Sequence, residues 1–218
     1  MSEVKLVAIT QPLIDGVNTA EEFVAYAARV SNPGNQINNE TAAKLLKYLA
    51  KHSHWSPFEM VSMTFEIKTT RDIGRQILRH RSFSFQEFSQ RYAAASTQFE
   101  SREARLQDHK NRQNSIKTDD TELAEWWQNQ QLDIADQVSR AYTEALEKGI
   151  AKEQARAILP EGLTKSTMYM SGTLRSWIHY CDLRSAHGTQ LEHQEIAIAI
   201  WEEIVKRFPS LSVILEKE

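Results

Sequence analysis

Cysteine is nearly missing from this 218-residue chain: Cys181 stands alone, so no internal disulfide can form, as suits a reducing compartment. Glycine is scarce as well, at seven residues, and neither Gly-x-Gly-x-x-Gly nor a Gly-Lys-Ser/Thr loop occurs. The two common glycine-rich phosphate cradles are therefore excluded, and any bound nucleotide must be held by side chains such as arginine and serine. No run approaches the ~20 apolar residues of a membrane span. The first ten residues, Met1–Thr10, lack the apolar core and small-residue cleavage site of a secretory signal, so a soluble, cytoplasmic protein is expected. Basic excess is absent too: 26 Lys and Arg face 29 Asp and Glu, for a net charge of -3. A non-specific nucleic-acid binder would be basic, so nucleic acid and membrane are not expected partners.

What the chain does have is a local concentration of arginine. Arg75, Arg79, Arg81 and Arg91 fall with His80, three serines and a single carboxylate, Glu87, between Arg75 and Tyr92. Arg71, Arg75 and Arg79 recur at i, i+4, a spacing that stacks like charge on one helical face and costs about 0.2–0.5 kcal/mol per pair. The bland alternative is a solvated basic face laced by Asp72 and Glu87. The hydroxyls and aromatics between the arginines favour a lined anion pocket, since a guanidinium grips phosphate with two parallel hydrogen bonds.

The chain, 41% hydrophobic and 25% charged, fits one domain over residues 1–218. Val4–Ile9 reads as a strand, and Thr19 with Glu22 as a capping box opening a helix that buries Phe23, Ala27 and Val30. A second helix, about Glu40–His52, turns Leu45, Leu46 and Leu49 inward. Val61, Met63, Phe65 and Ile67 alternate with polar residues in the clearest half-buried strand, followed by a helix from Arg71 to His80. Residues 93–113 have no clean period and read as irregular or mobile. A long helix follows from Asp119–Asp120 to Glu147, with a stripe of Leu123, Trp127, Ile134, Val138 and Ala145 and with Gly149 as its stop. Trp126 and Trp127 read as core or subunit interface rather than as a stacking platform. Then come a short helix ended by Pro160, a strand over Thr164–Ser171 turned by Gly172, a helix over Leu174–Leu183, and a last helix near Gln190–Phe208.

Three chemical readings come from residue types alone. His52 and His54 suggest metal only weakly, because no third ligand is adjacent in sequence. Ser89 nine residues from His80 carries no assurance of contact, and no orienting Asp accompanies the pair. Cys181, on an amphipathic helix, reads as a small buried hydrophobe rather than as a nucleophile.

Arg79-His80-Arg81, seven residues, then Ser89 resembles the signature of the flavin-dependent thymidylate synthases. The resemblance extends to Arg75-Gln76, Glu87 and Arg91-Tyr92, to His54-Trp-Ser56-Pro-Phe-Glu59, to Arg156-Ala-Ile-Leu-Pro160, and to Arg175-Ser running to Leu183-Arg184. It departs at Gln86 and Thr173, where the family has Asn, and at Met60 and Gly188, where it has His. The resemblance implies an α+β fold with a largely antiparallel sheet and flanking helices. It also implies a homotetramer with sites shared between subunits, and reductive methylation of dUMP to dTMP. Methylenetetrahydrofolate would supply the carbon and NADPH the electrons, through FAD.

Matching positions would place Gln76, Arg79, Glu87, Ser89, Gln90, Arg91, Arg156 and Arg184 at dUMP. His54, Ser56, Arg79, His80, Arg81, Glu87, Arg175 and His179 would lie at FAD. Arg184 is the expected catalytic group, its cation favouring the charge that develops on the uracil ring. A competing class, a module that binds RNA or another polyanion without catalysis, would use the same arginines; the acidic net charge disfavours it.

Overall fold

The computed structural model describes residues 2–215. Its centre is an antiparallel sheet ordered β1 (Glu3–Ile9), β2 (Ser62–Thr70), β6 (Lys165–Thr173) and β3 (Ser84–Glu87). The alternation in β2 decides which face is covered. Met63, Phe65 and Ile67 are buried, and β6 sets Met170 and Met168 beside Phe65 and Ile67 in register. A one-residue slip would turn all of them to the other face, so burial pins the register. In β1, a bulge between Leu6 and Ala8 interrupts pairing with β2.

Helices α1 (Ala20–Ala28), α2 (Ala42–Lys51), α6 (Leu174–Arg184) and α7 (Leu191–Arg207) contribute to the core that rests on this sheet. The expected capping box at Thr19 and Glu22 is present in both directions. The face of α1 differs from expectation, however: Val24 and Ala25 are buried, Phe23 only partly, and Val30 is exposed beyond the helix end. The buried face lies one residue away from the Phe23–Ala27 spacing, and Val30 lies past the C-cap Arg29, outside the helical period. In α7 the periodic Ile196, Ile200 and Ile204, with Phe208 after it, are all fully buried as expected.

Two strand-to-helix junctions position the chemistry. β2 runs straight into α3 (Arg71–Ile77), and β6 straight into α6. Thr173 caps α6, its Oγ1 accepting from the Ser176 amide. Gly172 was expected to turn the chain, yet it lies within β6. A Cβ there would stand 2.4 Å from the Phe83 ring, so glycine serves close packing rather than a bend. Trp177 in α6 donates its indole N–H to the Met63 carbonyl at 3.1 Å, bolting the helix to β2.

The segment expected to be irregular contains an ordered hairpin, β4 (Arg105–Gln107) with β5 (Ser115–Lys117). Its tip is closed by Asp108, whose carboxylate accepts from the amides of Lys110 and Asn111. Polar side chains, not periodicity, order this region. The buried Gln131 of α4 (Thr121–Glu147) accepts from the Arg102 amide at 2.8 Å and donates to its carbonyl at 2.9 Å. The sequence stripe on α4 also misleads, since Ile134 is about half exposed while Gln131 and Tyr142 are the buried residues. Tyr142 anchors a small second core with Ala95, Ala155 and Leu159, accepting from the Ala95 amide at 3.0 Å. Ala155 closes the short helix α5 (Lys152–Ala155). No helix of the described residues is long and apolar enough to cross a membrane.

Candidate active site

The C-terminal ends of α3 and α6 converge on a cleft. Arg184 donates from Nε to Nε2 of His80 at 2.9 Å, so that nitrogen carries no proton and the imidazole is neutral. Burial, then the Arg184 and Arg79 cations, lower the His80 pKa from 6.5 to about 4, in keeping with that role. The ring lies edge-on to Tyr180, centroids 4.8 Å apart. Gln76, Arg79 and Arg184 line a cavity of about 320 Å³ here, with Gln113, Gly188 and Gln190.

Beneath the cleft runs a buried polar relay that sequence reasoning missed. Fully buried His193 meets the Tyr180 hydroxyl at Nε2, 3.0 Å, and Oε1 of Gln76 at Nδ1, 3.3 Å. An amide oxygen can only accept, so Nδ1 bears the hydrogen and the Tyr180 hydroxyl donates to Nε2. Gln76 in turn donates to Gln190 at 2.7 Å, and Gln190 to Glu192 at 3.0 Å. Glu192 also takes Arg105 and, at 3.5 Å, Arg102. The available signal was a histidine on the stripe that α7 otherwise fills with isoleucine. Burial first, then Arg184, lowers the His193 pKa to about 3.

A second cavity, about 400 Å³, lies along the other side of α3, lined by Arg71, Arg75, Arg156 and Gln90 together with Glu153 and Glu161, the latter reaching Arg75 at 3.5 Å and Arg71 at 3.8 Å. Gln90 Nε2 is buried without a partner there, a donor in want of an acceptor. Glu87 is held nearby, accepting from Ser166 at 2.8 Å and from Arg71 at 3.2 Å. Arg71 was not among the expected site residues; its burial beside Glu87 explains why the charged stripe is tolerated. Arg91 and Ser89 are exposed, with Arg91 reaching Glu153 at 3.5 Å. Ser89 makes no hydrogen bond to His80, whose Nε2 is engaged by Arg184, so the serine–base reading has no support.

The remaining expected residues stand apart, near the start of α6. Arg175 pairs with Glu59, His179 lies edge-on to Trp55 at 4.8 Å, and His54 and Ser56 are exposed. Arg81 is exposed on the loop after α3, and no carboxylate bridges to Arg79 or Arg81 among the described residues. Cys181 is fully buried, and burial raises its thiol pKa well above the usual range, which leaves no thiolate for attack. The described residues hold no group of three His, Cys, Asp or Glu suited to a metal ion.

The chain as a whole is similar to known proteins. Residues 12–210 match the family model described as thymidylate synthase complementing protein. A probable flavin-dependent thymidylate synthase of Paramecium bursaria Chlorella virus 1 is 56% identical over 212 residues, spanning 97% of this chain and 98% of that one. The chain belongs to the flavin-dependent thymidylate synthases. A second member, from Synechocystis, is 49% identical over 217 residues, covering 98% of this chain and 99% of its own. Among solved structures, a UMP/dUMP methylase, PolB of Streptomyces cacaoi bound with 5-Br dUMP, superposes with a TM-score of 0.82 at 26% identity, over 98% of this chain and 95% of that one.

Proposed function

We propose that the chain, as one synthase domain over residues 1–218, methylates dUMP to dTMP with FAD as cofactor, methylenetetrahydrofolate as carbon donor and NADPH as reductant. The observation that carries this reading is the Arg184–His80 pair at the mouth of a cleft lined by Gln76 and Arg79, in a chain of this family. Arg184 offers a cation whose direction is fixed by a neutral acceptor. A cation set in advance toward a ring that gains negative charge stabilises the transition state without reorganisation. The cavity with Arg71, Arg75, Arg156 and the unpartnered Gln90 amide suits a phosphate monoester, and Arg91 extends the same charge outward.

FAD fits the donor set: the exposed guanidinium groups of Arg79 and Arg81, with Arg175, His80 and His179, suit a dianionic dinucleotide, and Glu87, Ser56 and His54 add polar contacts. When bound it supplies the two-electron chemistry that no side chain here can. In one chain the expected residues occupy three separate surfaces, which supports a homotetramer whose sites combine residues from neighbouring subunits.

The purified protein should show oxidised-flavin absorbance near about 450 nm, or gain it with added FAD, and should form dTMP from dUMP only when both folate and NADPH are supplied. A protein that stays colourless with added FAD would refute the reading.

A further inference from the structure

A cavity of about 580 Å³ lies between the β4–β5 hairpin and the first turns of α4. None of the residues expected at dUMP or FAD lines it. Its walls combine aromatic rings with charged groups, three arginines against one carboxylate, Glu103. Trp126 and Trp127 supply indoles 6.3 Å apart and tilted by 35°, left 55% and 37% exposed. Arg102, Arg105 and Arg112 supply positive charge.

The charge there is only partly spent. Arg102 is committed to Asp72 at 2.8 Å and to Glu192, and Arg105 to Glu192 and, at 3.8 Å, to Glu103. Arg105 is nine-tenths buried, yet its Nη1 has no hydrogen-bond partner. Arg112 is exposed, with no ion pair among the described residues. Gln113 and Gln190 line both this cavity and the Arg184 cleft, so the two spaces adjoin.

We propose that this cavity is an anchoring subsite for the end of a cosubstrate that joins an aromatic ring to an anion. The ring would lie against Trp126 and Trp127 and the anion against Arg112, while the rest of the molecule extends past Gln190 toward Arg184. The inference rests on the reading above. That reaction needs four molecules, and the residues assigned so far answer only dUMP and FAD. The other two share the required chemistry: methylenetetrahydrofolate ends in an aminobenzoyl ring bearing glutamate carboxylates, and NADPH in an adenine whose ribose carries a phosphate. Indole faces accept either ring, because every such ring has a π-face.

Titration calorimetry on the FAD-loaded, dUMP-bound protein tests it with two fragments, p-aminobenzoyl-L-glutamate and adenosine 2′,5′-bisphosphate. One of them should bind, and Trp126→Ala and Arg112→Ala should each weaken it about tenfold or more while dUMP binding is retained. Whichever fragment binds names the cosubstrate: the first assigns the folate tail, the second the dinucleotide. Failure of both fragments to bind, or unchanged binding in Arg112→Ala, overturns the proposal. If Trp126→Ala alone weakens binding and also shifts the oligomer's mass, the indoles belong to a subunit contact and the proposal is likewise overturned. A protein that binds neither FAD nor dUMP would instead refute the functional reading, and the titrations would then be run on the protein alone to judge the cavity separately.

Discussion

Arg184 and Arg91 illustrate how one residue type divides labour by environment. Arg184 is partly buried and its Nε is fixed on His80, whereas Arg91 is exposed and pairs with Glu153. Arg184→Ala should therefore keep FAD and fold normally, yet lose roughly 10²–10³ in turnover at saturating dUMP. Arg91→Ala should act mainly by raising the dUMP concentration needed, with turnover at saturation largely kept. The reverse pattern in steady-state kinetics would mean the roles are exchanged. Acid should expose the same neighbourhood. The folded pKa values of His80 and His193, about 4 and about 3, lie below the ordinary 6.5, so the unfolded chain takes up these protons first. Stability is then full above about pH 6.5 and falls as pH drops toward 4. Thermal melts across that window should show the decline, and His193→Gln should make it shallower.

Elements were legible from sequence where one period dominates, and illegible where polar contacts decide. The alternation of β2 and the isoleucine stripe of α7 announce their buried faces directly. The β4–β5 hairpin gives no such signal, since its strands are short and its order comes from Asp108 and from Gln131 clasping Arg102. In the site, the arginine-rich motif was plain from spacing, but the relay of His193 and Tyr180 was not, because His193 joins Tyr180 of α6 to Gln76 of α3, which lies 117 residues away in sequence. Gly172 was recognised as special for the wrong reason. Its neighbour Phe83 is wedged against Trp177 and Tyr180, with ring centroids at 4.6 and 5.9 Å, and has little room to retreat. Gly172→Ala should destabilise the fold by about 1–3 kcal/mol, read as a lower midpoint in urea with unchanged slope.

For the molecule as a whole, the spread of expected ligand residues over three surfaces sets a requirement on assembly. If each site draws on neighbouring subunits, flavin retention should follow oligomer mass. Dilution followed by analytical ultracentrifugation at a flavin wavelength should show colour only in the assembled species, and a coloured monomer would contradict shared sites.

The relay from Tyr180 through His193, Gln76 and Gln190 to Glu192 also constrains how this lineage can drift. Each group points its donor at the next, so a lone replacement strands a buried neighbour, whereas a paired apolar replacement removes donor and acceptor together. Descendants should therefore abandon the relay in concerted steps. His193→Leu combined with Tyr180→Phe should cost less stability than the two single changes added, and a thermodynamic cycle over the four proteins would measure that coupling.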